Sequence, residues 1–345
     1  MVFPESIKVV HRFAVAWNPE LTTVTGSIPS IGELAFYNCP NLSTIDFSRT
    51  VFIEENAFFG SSSLERVNLS NVVYVGPYSF GLCPALVEVI TGTNTVISRY
   101  AFANCTGLTR VEINSSRIGS AAFIGCSALK SVTFNQPVET LDYGAFYGCT
   151  ALEEVIFRSS VRVIDDLAFG NCISLTAFYI PAGVEDLGEN AFGGCTALER
   201  VVISKDAKLT SIGRGVFQGA ASLTAFELES GAKYLSVQDG ILYDKAQRTV
   251  KLVPFGYTGD VALPDTVTEV GGYAFSMLKN IGKVTASGVE AIGTGAFLGC
   301  EGESIQLGTS VKTVGDLAFS GCTLAGMTLT EGIESIGSEA FAEYV

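Results

Sequence analysis

The dipeptide Ala-Phe recurs through this 345-residue chain at almost constant spacing, and that period decides what the chain can fold into. It stands at Phe36, Phe58, Phe102, Phe123, Phe146, Phe169, Phe192, Phe275, Phe297, Phe319 and Phe341, with Ser79-Phe80 and Val216-Phe217 as variants. Successive anchors lie 21–25 residues apart, except for one step of 58 residues between Phe217 and Phe275. A unit this short is too small to bury its own apolar side. Copies must stack so that each covers its neighbour.

Each anchor carries the same surroundings. Five residues upstream stands an aliphatic in every copy, as at Ile53, Ile118, Leu141, Ile164 and Ile292, usually followed by Gly. Six residues downstream the first nine copies have Leu, from Leu42 to Leu223, and apolar pairs such as Val111/Ile113 and Val201/Ile203 follow. The Leu-x-x-Val-x-Leu portion alternates in and out, the period of a short strand. The Ala-Phe-x-x-Cys portion spaces apolar groups three apart, which suits one helical or 3₁₀ turn. The recurrent Gly is read as serving the bend. A 20–29-residue period with this spacing is the leucine-rich-repeat solution. The expected fold is therefore α/β: a right-handed solenoid with a parallel sheet on its concave face and short β, 3₁₀ or helical turns on its convex face. Residues 1–345 are expected to form one elongated domain, with 1–20 as an N-terminal cap and 229–264 as an insert. In the insert, Asp239-Gly240 signals a hairpin and Lys245–Arg248 a second turn between short antiparallel strands. The stop a few residues after Phe341 reads as a truncation or a minimal cap.

All nine cysteines fall three residues after an anchor, where other copies have Ser61, Ala220 or Leu278. A position that accepts all four residue types is read as a packing position holding reduced, buried thiols. Equivalent atoms in stacked coils point in parallel and do not converge on an ion.

Composition removes most chemistry. One histidine, His11, excludes multi-histidine metal sites and excludes His-dependent triads beyond the first residues. A net charge of −14 disfavours nucleic acid and anionic membranes as partners. No apolar run reaches spanning length, and no signal-peptide pattern is visible. The acid pairs Asp165-Asp166 and Glu153-Glu154 point in different directions along a strand or turn, so neither suits a two-carboxylate mechanism. No enzyme and no cofactor are expected.

The unit I-G-x-x-A-F-x-x-C-x-x-L-x-x-V-x-[LIF], as it stands from Ile118 to Phe134 and from Ile164 to Ile180, resembles the BspA-like, Treponema-type leucine-rich-repeat family. The run Asp239-Gly240-Ile-Leu-Tyr243, followed by Leu252-Val-Pro254, is similar to an element that interrupts repeats in that family. The resemblance implies a cell-surface or secreted protein that adheres to host matrix proteins or to other cells. The alternative is a passive stalk or spacer with no ligand of its own.

For binding, the informative positions are the outward residues of each Val-x-Leu strand: Asp46, Asn68, Ile90, Glu112, Thr133, Ile156, Tyr179, Val202, Glu227, Thr285, Gln306 and Thr328. Most are polar. Ile156, Tyr179 and Val202 fall on consecutive copies and are expected side by side, edged by Glu154, Arg158, Arg200 and Glu227. An aromatic bordered by arginines has the composition of a protein-binding hot spot. Outward β-branched and aromatic residues also suit exposed strands for their own sake.

Overall fold

The computed structural model describes residues 1–329 and 331–344. The side chain of Thr328, on the outward row, lies outside that description. The chain divides into two compact units, Met1–Leu175 and Thr176–Val345.

In the first unit each coil contributes two short strands. The aliphatic upstream of the anchor ends a strand: Val9–Val10, Ser30–Ile31, Phe52–Ile53, Tyr74–Val75, Val96–Ile97, Arg117–Ile118, Val138–Leu141 and Val161–Ile164. These pair in parallel in chain order, with equivalent residues opposite one another. The downstream strands Arg66–Leu69, Glu88–Thr91, Arg110–Ile113, Ser131–Phe134 and Glu154–Phe157 form a second parallel sheet. Between the sheets runs the anchor column. Phe58, Phe80, Phe102, Phe123 and Phe146 are fully buried and stack face to face at 5.0–5.3 Å between neighbouring rings.

The second unit uses the same grammar. Ala177–Ile180, Arg200–Ile203 and Phe226–Leu228 form a three-stranded parallel sheet. The 58-residue step holds Leu235–Gln238, Ile241–Asp244 and Thr249–Leu252, which pair antiparallel as a meander. The last of these then pairs in parallel with Glu269–Val270, returning the chain to the repeat. Asp239 and Gly240 take left-handed φ values of 52° and 77° at the first turn. At the second, Asp244 Oδ1 accepts the amides of Arg248 and Thr249 at 2.7 Å.

The helical turn expected at Ala-Phe-x-x-Cys does not form, and among the described residues there is no helix of any kind. The backbone gives the reason. At every one of the thirteen anchors the residues two before and two after the Phe have positive φ, for example Tyr78 (52°) and Leu82 (53°) about Phe80, or Gly144 (59°) and Gly148 (72°) about Phe146. Consecutive right-handed dihedrals are what a helix requires, so this alternation breaks it within two residues. The amides divide accordingly. Ala101 and Ala103 donate within their own turn to Ser98 and Tyr100, while Tyr100, Phe102 and Asn104 donate to carbonyls of the next coil at 3.0, 2.8 and 2.8 Å. The α/β description is thus replaced by a parallel-strand β-solenoid of leucine-rich-repeat type.

The Gly after the aliphatic is also not there for the bend. A Cβ on Gly76 would meet the backbone of Glu54 and Glu55 at 2.6 and 2.7 Å, and one on Gly293 would meet Gly272 N at 2.7 Å. Close approach of successive coils excludes a side chain at this point.

Residues 9–24 lack a Phe at the anchor place, yet they form a coil of the same kind. Val15 occupies the anchor place and donates to Ala35 O, and Phe13 and Trp17 take the left-handed positions on either side. Leu21 follows six residues later and is buried.

Candidate functional site

Strand alternation sends every second side chain of the downstream strands outward, and this creates the candidate surface. In the second unit the strands place Tyr179 opposite Val202 and Val202 opposite Glu227. Tyr179 is 36% exposed and Val202 half-buried, while their neighbours Phe178, Ile180, Val201 and Ile203 are buried in the core. The Tyr179 hydroxyl donates to Glu229 Oε1 at 3.1 Å, and Glu229 Oε2 accepts the Lys205 amide at 3.0 Å. Burial raises the Tyr179 phenol above its ordinary range, and the Glu229 charge adds to the effect.

Arg200 is engaged by Glu227 in a bidentate pair, with both N–O distances 2.7 Å. The contact holds the Glu227 carboxyl below its usual range and the guanidinium above its own. Arg200 is therefore neutralised within the protein, which reduces its capacity to select an acidic partner. Both groups are exposed, so the pair fixes side-chain geometry more than it stabilises the fold.

Ile156 lies in the first unit on the strand Glu154–Phe157, opposite Thr133, and is half-buried. Glu154 and Arg158 are exposed at the two ends of that strand. Tyr179, Val202, Arg200 and Glu227 are thus brought together in one sheet of the second unit, with Ile156, Glu154 and Arg158 grouped on the first. Of the other outward positions, Asp46, Asn68 and Gln306 are exposed and Ile90, Glu112 and Thr285 half-buried. Thr133 is an exception at 8% exposure, covered between Glu112 and Ile156 on the flanking strands.

The cysteine position holds more than packing. The thiols of Cys83, Cys105, Cys126 and Cys149 donate to the carbonyl of the preceding coil's anchor Phe at 3.3, 3.0, 3.2 and 3.3 Å, and Ser61 Oγ makes the same bond at 3.2 Å. Burial pushes Cys149 and Cys300 up to about 12. All nine cysteines are buried, and among the described residues no group of three or more His, Cys, Asp or Glu side chains is placed to hold a metal ion. Of the acid pairs, Asp165 Oδ1 accepts the Asp166 amide at 2.8 Å and so serves its own turn. No helix among the described residues is long and apolar enough to cross a membrane.

Sequence reading missed a second outward row, six residues before each anchor. On the strands that precede the turn it places Val9, Ser30, Phe52, Tyr74, Val96 and Arg117 opposite one another in turn. Three consecutive apolar residues at one repeat position were the available signal.

Stacked parallel strands, a buried anchor column and an outward polar row define a leucine-rich-repeat β-solenoid. Within that class the sequence matches the BspA type leucine rich repeat region, in six copies over residues 1–109, 116–239 and 257–344, and the chain belongs to this family. A search of curated proteins found no match. Among solved structures, the pneumococcal vaccine antigen PcpA is similar, with 20% identity and a TM-score of 0.50 over 85% of this chain and 66% of that one. A leucine-rich repeat protein from Bacteroides ovatus shows 22% identity and a TM-score of 0.48, over 66% of this chain and 72% of that one. A leucine rich cell surface protein from Faecalibacterium prausnitzii shows 20% identity and a TM-score of 0.48, over 81% and 74%. The chain spans just under two thirds of the pneumococcal antigen's structure.

Proposed function

We propose that this protein is a non-enzymatic adhesion module, displayed at a cell surface or secreted, that grips another protein through the outward face of its downstream strands. The observation that carries the reading is Tyr179: an exposed aromatic beside Val202, on a rigid parallel sheet whose opposite face is fully packed. Rigid sheet residues lose little entropy on binding, and a tyrosine offers contact area with a polar tip. Its hydroxyl, already held by Glu229, is fixed in direction before a partner arrives. On the first unit, Ile156, Glu154 and Arg158 form a candidate patch of their own, in which the exposed Arg158 can meet an acidic group. Membership of a repeat family whose folds serve as binding scaffolds supports the class of function. So does the surface location named for the Faecalibacterium protein.

The test is a pull-down with the full chain against extracellular matrix proteins and bacterial surfaces, followed by titration of any captured protein. The double variant Tyr179→Ser/Val202→Ser should keep the fold and weaken binding by about 2 kcal/mol or more. A captured partner that binds the double variant unchanged would remove this face from consideration. Capture of nothing across the panel would favour the spacer.

A further inference from the structure

We infer that the first unit carries a self-association surface, the outward row six residues before each anchor, on which a second copy of this chain docks in reversed coil order. This goes beyond the heterologous binding proposed for Tyr179 and does not depend on it.

The row is apolar where a soluble sheet needs no apolar residues. Phe52 is 45% exposed, Val96 38%, and Val73, immediately before Tyr74, 41%. With Tyr74 between them they cover three consecutive coils in strict register, Phe52 opposite Tyr74 and Tyr74 opposite Val96. The side chains that alternate with them, Ile53, Val75 and Ile97, already fill the core. Nothing inside the protein gains from the outward set.

The charges around this strip identify the occupant. Seven coils, those of Val9, Ser30, Phe52, Tyr74, Val96, Arg117 and Thr140, follow one another in register, with Tyr74 at the centre. Consider two copies face to face about a two-fold axis that runs along the strand at Tyr74. Strand direction is kept and coil order reversed, so Phe52 meets Val96 of the second copy, and Val73 and Tyr74 meet their own equivalents. Glu55, three residues after Phe52, then faces Arg99, three residues after Val96. Lys8, one residue before Val9, faces Glu139, one residue before Thr140. All four charged side chains are exposed. These two acids, Glu55 and Glu139, thus each have a base at the mirrored position on the other half, which is what a self-complementary two-fold contact needs. The Glu139 to Arg162 ion pair, 3.4 Å and exposed, is of the kind that exchanges partners at little cost.

The area sets the strength. Six coil steps of about 4.8 Å by the width of four residues give on the order of 400 Å² per copy, about half of the roughly 800 Å² per partner in a stable complex. The contact is therefore a weak, reversible dimer that gains strength when many copies are displayed together.

Sedimentation velocity on the full chain, from micromolar concentrations to about 1 mM, should show reversible dimers with a dissociation constant of about 10–1000 µM. Tyr74→Arg sets like charges against each other at the axis and should abolish the dimer while leaving the unfolding midpoint unchanged. Glu55→Arg and Arg99→Glu should each weaken association about fivefold or more, and the two together should restore it. A chain that stays monomeric to about 1 mM, a dimer indifferent to Tyr74→Arg, or a charge swap that fails to restore association would each overturn the proposal. None of these results would bear on the Tyr179 face.

Discussion

Phe146→Ala removes one ring from the middle of the anchor column. Phe146 is fully buried and stacks on Phe123 at 5.2 Å and on Phe169 at 5.5 Å, and Phe134 meets its edge at 5.9 Å. Truncating a fully buried Phe costs about 3–5 kcal/mol through lost transfer energy and the cavity left behind. Two features place this site at the upper end. Three ring contacts are lost together, each worth about 0.5–1.5 kcal/mol beyond area alone. The coils are also held at fixed spacing by hydrogen bonds on both sides of the ring, so the hole has no means to collapse. Phe341 provides the contrast, being only partly buried and stacked on a single anchor, Phe319, at 5.2 Å; Phe341→Ala should cost about half as much or less. Urea denaturation followed by far-ultraviolet circular dichroism measures both. A loss below about 1 kcal/mol for Phe146→Ala, or equal losses at the two sites, would refute the idea that the column is a rigid, continuously packed support.

Cys126→Ser should be tolerated better than Cys126→Ala, because serine keeps a donor to Phe102 O, as Ser61 does for Phe36, whereas alanine leaves that buried carbonyl only the Cys105 amide, at a cost of about 0.5–1.5 kcal/mol; paired thermal melts would show it, and equal melts would reduce the position to packing. The thiols give a pH dependence whose sign is fixed: Cys149 and Cys300 ionise near 12 in the fold and near the ordinary 9.0 when unfolded, so their contribution is complete below pH 9 and is lost as pH rises from 9 toward 12. Stability should fall by roughly 1.4 kcal/mol per pH unit for each such thiol in that window, and urea midpoints that do not move between pH 9 and 11 would contradict it. The same thiols should resist alkylation at neutral pH until the chain is unfolded, as intact-mass measurement would reveal. At the second turn of the meander, Asp244→Ala deletes the acceptor for two amides and should lower stability by about 1–2 kcal/mol; a variant as stable as the parent would show those amides satisfied by water.

The period of the Phe residues and the alternation of Val-x-Leu are local patterns with one physical solution, which is why the stacked parallel strands were legible from residues alone. The turn was not, because Ala-Phe-x-x-Cys has helical spacing and the residues that break it are chemically diverse. Leu34, Tyr100, Ala121 and Met277 all sit at positive φ, where Gly or Asn would have been the readable signals. Hydrogen bonds to the next coil hold these strained positions, and such a requirement is visible only once coils are adjacent. The first coil was hidden for a simpler reason, since Val15 stands where the pattern has Phe. The Tyr179 row was legible as an alternation, whereas the bond from Arg200 to Glu227 joins residues 27 apart and depends on the register between successive copies. Attention to one outward row left the other, Phe52 to Val96, unread.

The one-way hydrogen bonding of the turns gives successive coils a fixed order. In ordinary parallel sheets amides point alternately to either neighbour, and their dipoles largely cancel. Here Tyr100, Phe102 and Asn104 all donate forward, as do Ala121, Phe123 and Gly125 in the next coil. The turn amides of a unit therefore share one direction, their N–H ends toward the later coils, while amides beside the turns such as Val96, Ser98 and Thr109 donate to the earlier coil. A coil excised or duplicated within a unit still presents amides to carbonyls, so repeat number is free to vary, by recombination or by design, without redesign of the joint. A coil inserted in reverse would set amide against amide, and no side-chain substitution could repair that mismatch.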